Sequence, residues 1–196
     1  MDEIKLDLTD RKILYELDKN TRISNAQLAR KVKKSRESVK YRINQLQQKG
    51  ILQGFITSIN PNKLGYHMFK VYLKLENNPK ERKKFYTSLK QNKDIYWLGI
   101  SDGAFDSVLA ILAKSTVEYF VIINQLFNKW QHLIISKTLG TMVDTKQYNK
   151  KFFLENSKES ATKVVTFGAE VVENSIDQLD SKILNILAND ARIPVA

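Results

Sequence analysis

The sequence predicts an α+β protein with two folded parts and the beginning of a third. Three observations support this: a basic N-terminal segment with a two-helix pattern, a central run of alternating strand and helix patterns, and a C-terminal repeat of the first segment. They predict a winged helix–turn–helix, a ferredoxin-like βαββαβ domain, a linker and a truncated second helix–turn–helix. The predicted boundaries are 1–60, 61–155, 156–175 and 176–196.

Composition limits the classes of protein to consider. Hydrophobic residues make up 42% of the 196, which suffices for folded cores. No apolar run reaches the ~20 residues of a membrane span, and the acidic start MDEIKLDL is unlike a signal peptide. The absence of cysteine excludes disulfides and thiolate metal or redox chemistry. We therefore expect a soluble cytoplasmic protein with no membrane partner, cofactor or metal.

Positive charge is concentrated in residues 22–50. This segment carries nine Lys or Arg and one acid, a net charge of +8 in a chain whose total is +11. The 21 residues before it carry four bases and six acids. Charge that is focused in this way favours an anionic partner, and the pI of about 9.6 agrees with one.

The same segment predicts two helices joined by a short turn at Lys33-Lys34. Ser24 is a suitable N-cap for a helix over 25–32, and Ser35 caps a second helix that runs to Lys49, where Gly50 ends it. In the second helix, apolar residues at helical spacing are predicted to face inward, and they are Val39, Ile43 and Leu46. The residues predicted to point away from the core are Glu37, Tyr41, Asn44 and Gln48.

A helix with a polar, cation-flanked outer face fits the major groove of B-DNA, which is about 12 Å wide. Arg36 can bridge guanine O6 and N7, and Glu37 can accept from cytosine N4. Ser35 and the free N–H groups of the helix start can hold a phosphate, whereas Arg42 suits bracing the helix as well as it suits DNA. We predict DNA binding rather than a merely solvated basic surface. The predicted contact residues are Lys33, Lys34, Ser35, Arg36, Glu37, Ser38, Lys40, Tyr41, Arg42 and Asn44.

The flanking residues predict the remainder of the first domain. Thr9 and Asp10 are expected to open a helix that completes the core of the two-helix motif. Residues 51–60 are expected to form a two-stranded wing that turns near Gln53-Gly54.

Residues 68–143 predict the order β-α-β-β-α-β. Helices should cover one face of the resulting antiparallel sheet, and the other face should be solvated or paired with another subunit. Trp97 and Trp130 are both expected in the core. The predicted strands are 68–76, 94–101, 105–113 and 133–143, and the predicted helices are 79–91 and 116–130.

Residues 176–196 repeat residues 6–26 at an offset of 170, with nine identities in 21 positions. Two unrelated amphipathic helices would share far fewer. We therefore expect that the chain stops one helix into a second winged helix and that the native protein continues. An in-frame stop directly after Ala196 in the gene would refute this expectation.

These features resemble the Lrp/AsnC (feast/famine) transcriptional regulators over about residues 6–150. The resemblance is carried by LDLTDRKILYELDKNTRIS, by LARKVKKSRESVKYRINQLQQKGILQGFITSINPNKLG and by the βαββαβ unit with its hairpin at 102–106. It implies a sequence-specific DNA-binding regulator that forms a homodimer or higher oligomer through the sheets of a RAM-type domain. In many members an amino-acid effector binds near this hairpin, where Ala104 departs from the family's usual Gly-Asp pair. The implied effector residues are Ser101, Asp102, Gly103, Phe105 and Asp106.

Two other functions are open at this point. Some proteins similar to this family are sirohaem decarboxylases, which need His and Arg groups in a cavity to grip carboxylates and donate protons. This chain has only two histidines, His67 and His132, and outside the winged helix only Arg82 and Arg192. The second alternative is an interaction module that no longer binds DNA, and the cation-rich second helix argues against it. We expect no enzyme.

Overall fold

The computed structural model describes residues 5–154, 164–168 and 170–194. Part of the predicted linker, residues 156–163 and residue 169, lies outside the described residues. The remaining linker residues are not a free connector, because Val165–Gly168 forms a strand and Glu173 bridges to Leu64.

The described residues divide into two compact units, and each is considered by itself. The first contains the N-terminal residues up to 59 together with parts of 146–165 and 176–196. The second contains 60–145 and 166–175.

Three N-terminal helices build the core of the first unit: α1 (Leu8–Lys19), α2 (Asn25–Val32) and α3 (Arg36–Gln48). The apolar positions of these helices face one another, as their helical spacing predicts. The buried residues include Ile13, Leu14, Leu17, Ile23, Leu28, Val32, Val39, Ile43 and Leu46.

Helix α1 begins at Leu8, just before the predicted start at Thr9 and Asp10. Its N-cap is Asp7, whose carboxylate accepts the N–H of Asp10 at 2.8 Å, while the Asp10 carboxylate accepts the N–H of Asp7 at 3.4 Å. This reciprocal capping box satisfies the free donors of the first turn, so the helix starts at Leu8.

The predicted wing is wrong in its secondary structure. Residues 51–60 contain no strand, and they bond instead to residues near the C-terminus of the first unit. The carbonyl of Phe55 accepts the N–H of Ala191 at 2.9 Å, and the Thr57 hydroxyl donates to the carbonyl of Leu187 at 2.8 Å. These two contacts hold the segment without a hairpin partner.

The second unit confirms the βαββαβ order. Its elements are β1 (His67–Leu75), α4 (Pro79–Lys90), β2 (Ile95–Ile100), β3 (Ser107–Ala113), α5 (Thr116–Trp130) and β4 (Ile134–Thr141). The sheet has the antiparallel order β2-β3-β1-β4, so the central strand β1 pairs with both β3 and β4. Strands β5 (Asp144–Gln147) and β6 (Val165–Gly168) form a separate two-stranded sheet.

Alternation along β1 separates the two faces of this sheet. Phe69, Val71, Leu73 and Leu75 are buried with the apolar residues of α4 and α5, and the residues between them are half-buried on the outer face. Trp130 is in this core as predicted. The prediction for Trp97 is wrong, because Trp97 lies opposite Ala110 on the outer face of an edge strand and stays 49% exposed.

The C-terminal helix α6 (Gln178–Asn189) belongs to the first unit. Its bounds are those of α1 shifted by 170 residues. It also has the same capping box, since Asp177 accepts the N–H of Asp180 at 2.7 Å and Asp180 accepts the N–H of Asp177 at 3.2 Å. No helix in the described residues is long and apolar enough to cross a bilayer.

Candidate nucleic-acid interface

The turn between α2 and α3 is held by capping bonds at both ends. The Ser24 hydroxyl accepts the N–H of Gln27 at 3.2 Å, and the Ser35 hydroxyl accepts the N–H of Ser38 at 3.1 Å. Lys33 takes a left-handed conformation with φ of 55°, which closes the turn. The predicted caps are confirmed, and they fix the angle at which α3 leaves α2.

The outward face of α3 is the predicted one. Val39, Ile43 and Leu46 are 6% exposed or less, whereas Tyr41 is 65% exposed. The other residues predicted to point away from the core are also exposed, and they are Glu37, Asn44 and Gln48. The outward face of α3 is therefore a narrow row of these exposed side chains, with cations on either side of it.

The cations next to this face have no acidic partner. Within the described part of the chain, no ion pair involves Lys33, Lys34, Arg36 or Lys40, and all four side chains are exposed. Their charge is thus available to an external anion. Elsewhere in the same motif, Lys31 is held by Glu16 at 2.6 Å.

Arg42 differs from these residues. One guanidinium nitrogen, Nη1, lies 2.7 Å from Oδ2 of Asp7 and 2.7 Å from Oδ1 of Asp10. These two carboxylates raise the pKa of Arg42, and Arg42 helps to lower the pKa of Asp7 against the opposing effect of burial. The geometry therefore favours the bracing role for Arg42, which ties α3 to the start of α1.

A cleft of about 430 Å³ runs beside α3 within the first unit. Its lining includes Lys40, Asn44 and Gln47 from α3, and Asn189, Asp190 and Arg192 at and after the end of α6. Sequence reasoning did not select Gln47 or Arg192 as site residues. The repeat could have indicated Arg192, because Arg192 aligns with Arg22, which lies between α1 and α2.

The hairpin that carries the implied effector residues is closed by its own contacts. Gly103 has φ of 132°, which a glycine readily adopts, and its carbonyl accepts from the Lys74 ammonium at 2.8 Å. The Ser101 hydroxyl donates to the carbonyl of Phe105 at 2.8 Å. The Phe105 ring packs against Tyr72 at 5.2 Å. Asp102 is exposed at the tip.

Asp106 is a buried carboxylate with several partners. It is 4% exposed, and it accepts the N–H of Leu75 at 2.8 Å and a guanidinium hydrogen of Arg82 at 3.3 Å. Burial alone raises its pKa, but the Leu75 N–H, Arg82 and Lys74 outweigh burial, so the net pKa is lowered. This carboxylate fixes the hairpin to β1.

The two histidines do not share partners. His132 is exposed and lies 3.5 Å from Glu81, and His67 is half-buried against the ring of Phe69. Among the described residues, no group of three or more His, Cys, Asp or Glu is arranged to hold a metal ion.

The fold and the exposed helix define a class of protein. A family model described as winged helix-turn-helix DNA-binding matches residues 6–53, which contain α1, α2 and α3. These residues of the first unit therefore form a winged helix–turn–helix of the DNA-binding class.

Relatives that match about 70% of the chain are transcriptional regulators. The chain is 28% identical over 139 residues to the proline dehydrogenase transcriptional activator of Rhodobacter capsulatus, covering 70% of this chain and 90% of that protein. It is 27% identical over 148 residues to the leucine-responsive regulatory protein of Escherichia coli K12, covering 74% and 90%. The structure of B. subtilis LrpC matches with a TM-score of 0.57 and 28% identity, covering 71% of this chain and 95% of LrpC. The winged helix-turn-helix match and these relatives support an Lrp/AsnC-type DNA-binding transcriptional regulator.

Proposed function

We propose that this regulator recognises duplex DNA with α3 in the major groove. The observation that carries the proposal is the combination of an exposed polar face on α3 with neighbouring cations that have no acidic partner in the described residues. An α-helix fits this groove. Cations without an acidic partner can bind phosphate directly, whereas paired cations would first have to leave their carboxylates.

The proposed contacts fall into two groups. Lys33, Lys34 and Ser35 lie at the turn and the start of α3, where they suit phosphate oxygens. Residues further along the exposed side of α3 suit base edges, and they are Arg36, Glu37, Ser38, Lys40, Tyr41 and Asn44. Arg42 acts as a positioning residue through its bonds to Asp7 and Asp10 rather than as a DNA contact.

The test starts by selecting bound fragments from random duplex DNA with the whole chain. Alanine variants of Lys33 and Lys34 should then weaken binding to all sequences alike and lower the salt dependence of log K by about 0.9 for each lost phosphate contact. Arg36→Ala and Glu37→Ala should instead relax the preference at particular base pairs, by about 1–3 kcal/mol. Lys90→Ala, an exposed lysine of the second unit, is the matched charge control.

Equal losses on every DNA from all four variants would show that Arg36 and Glu37 do not read bases. No measurable binding to duplex DNA in dilute buffer would refute the proposal.

We further propose that two copies pair through the outer face of the four-stranded sheet. This face carries half-buried or exposed apolar and aromatic residues, and they are Met68, Tyr72, Trp97, Val108 and Leu112. Tyr72→Glu should shift the sedimentation coefficient toward that of a monomer, whereas Tyr148→Glu, at an exposed tyrosine away from this sheet, should not. An unchanged sedimentation coefficient for Tyr72→Glu would refute pairing through this face.

An amino-acid effector is the third part of the proposal. The name of the E. coli relative records a response to leucine, and the hairpin at 101–106 is the implied contact. Asp106 is bound to Leu75 and Arg82, the Ser101 hydroxyl to Phe105 and the Gly103 carbonyl to Lys74, so the exposed side chain of Asp102 is the group that a ligand could reach most directly. Calorimetry with single amino acids tests this part, and Asp102→Ala should abolish any heat of binding.

A further inference from the structure

The two copies of the repeated segment contact each other within the first unit. Arg22, in the first copy, donates from Nη2 to the carbonyl of Ile193 at 3.2 Å. Arg192, in the second copy, donates from Nη2 to the carbonyl of Ile23 at 3.2 Å. Arg22 and Arg192 are equivalent positions of the repeat, and so are Ile23 and Ile193. The contact is therefore reciprocal.

The loops that carry the two arginines also have the same local structure. The N–H of Arg22 donates to Oδ1 of Asn20 at 3.0 Å, and the N–H of Arg192 donates to Oδ1 of Asp190 at 2.8 Å. Asn20 and Asp190 are equivalent positions as well. Each loop thus presents its arginine and its Ile carbonyl in the same way, which is the condition for a surface to complement itself.

Further contacts bury this junction. Arg22 also donates to the carbonyl of Ala191 at 2.8 Å, and Arg192 also donates to Oδ1 of Asn25 at 3.0 Å. The Arg192 guanidinium lies 5.0 Å above the ring of Phe55, and Ala191 is 3% exposed. Burial lowers the pKa of Arg192, which Asp190 partly offsets. The arginines bind mainly backbone carbonyls, so the contact depends on loop shape more than on neighbouring side chains.

We propose that the loop at 20–25 of the winged-helix head, formed by α1 to α3, is an isologous docking surface whose partner is the equivalent loop of the second repeat copy, carried here by residues 176–194 of the same chain. The reciprocal bonds relate the two loops as a local two-fold axis would. This surface between the repeat copies is separate from the proposed sheet pairing and needs no DNA.

The pairing has a consequence for the cleft beside α3. It is lined on one side by the end of α6 and the residues after it, so docking of the second repeat copy sets the width of the space next to Lys40 and Asn44. A regulator of this design would control access to one side of its recognition helix by the position of its second repeat copy.

Hydrogen exchange of the whole chain without DNA tests the proposal, because the amide of Ala191 reports docking through its bond to the Phe55 carbonyl. Arg22→Ala and Arg192→Ala should each speed exchange at Ala191 by about tenfold or more, since each removes bonds from a charged donor. The double variant should be no faster than the single ones, because both substitutions open the same contact. Arg30→Ala, an exposed arginine of α2, should leave Ala191 protected.

An unprotected Ala191 amide in the native chain would overturn the proposal, and so would an unchanged Ala191 in Arg22→Ala. Faster exchange at the Leu14 amide in Arg22→Ala would mean that this substitution also unfolds the core of α1 to α3. The proposal would then be judged from Arg192→Ala alone, because Arg192 lies outside these three helices. Failure of DNA binding would not affect this measurement.

Discussion

Helices α1 and α6 are two versions of one sequence pattern with different surroundings. Both span 12 residues and begin with the same aspartate capping box. In α1, Ile13 is 0% exposed in the core of the head, whereas its equivalent Ile183 in α6 is 45% exposed. Arg42 binds both capping aspartates of α1, and no ion pair of this kind involves Asp177 or Asp180 in the described residues.

The difference shows which properties of a helix are local. Caps and helical spacing act within a few residues, so they produce the same helix twice. Burial of the apolar face requires other helices to pack on it, and α1 has α2 and α3. The free energy that each helix contributes to the fold should therefore differ, although the two helices themselves match.

The largest expected difference comes from the paired substitutions Ile13→Ala and Ile183→Ala. Ile13→Ala should lower the free energy of unfolding of the first unit by about 3 kcal/mol, because it leaves a cavity in a packed core. Ile183→Ala should cost about 0.5 kcal/mol or less, as at a half-exposed site. Urea denaturation followed by circular dichroism measures both. Equal losses in the free energy of unfolding would mean that the apolar face of α6 is buried in solution.

The caps give a smaller difference. Asp7→Ala should cost about 1–2 kcal/mol, since it removes the N-cap of α1 and one partner of Arg42. Asp177→Ala removes only the cap of α6, so it should reduce helicity locally and leave the unfolding midpoint of the three-helix head nearly unchanged. A lowered midpoint for Asp177→Ala would show that α6 is part of that cooperative core.

Arg42 and Arg36 provide a third pair, on the same helix. Arg42→Ala should destabilise the head by about 1 kcal/mol, a value reduced by the partial exposure of the pair. Arg36→Ala should change stability by no more than about 0.5 kcal/mol, because in the described residues it has no acidic partner. Thermal unfolding compares the two variants. Equal effects on stability would contradict the bracing role.

The smallest expected effect is the loss of stability in acid that comes from the Asp7–Arg42 ion pair. Burial raises the pKa of Asp7, but the Asp10 N–H and Arg42 outweigh it, so the folded pKa is below the ordinary value of 3.8. The carboxylate therefore stabilises the fold fully above that value, and this contribution is lost as the pH falls through the folded pKa. Between pH 5 and pH 2, the loss of stability should be smaller in Arg42→Ala than in the native chain.

The sequence was informative where structure depends on near neighbours. The caps at Ser24 and Ser35, the end of α3 before Gly50 and the outward position of Tyr41 were all predictable from spacing. The βαββαβ order followed from alternation and turn signals in the same way. The repeat in the sequence also predicted a helix within residues 176–196, and the structure has one at 178–189.

The errors occurred where a distant partner decides the result. The segment 51–60 lacks a hairpin because Ala191 binds the Phe55 carbonyl and Leu187 binds the Thr57 hydroxyl, and nothing in the segment itself indicates this. Trp97 is exposed because its strand lies at the sheet edge with that face outward. Arg42 is occupied by two carboxylates more than 30 positions away, so its local pattern suited a DNA contact equally well.

By itself, the sequence determined the helices, their caps, the strand order and the concentration of charge on one helix–turn–helix, because these depend on interactions within a turn or on simple periodicity. Only the tertiary structure decided which cations remain available to DNA, which of the two equivalent helices is buried, and that Arg22 and Arg192 bind each other's loops. Those outcomes depend on pairs of groups far apart in the chain, whose distances are set by packing rather than by spacing along the sequence.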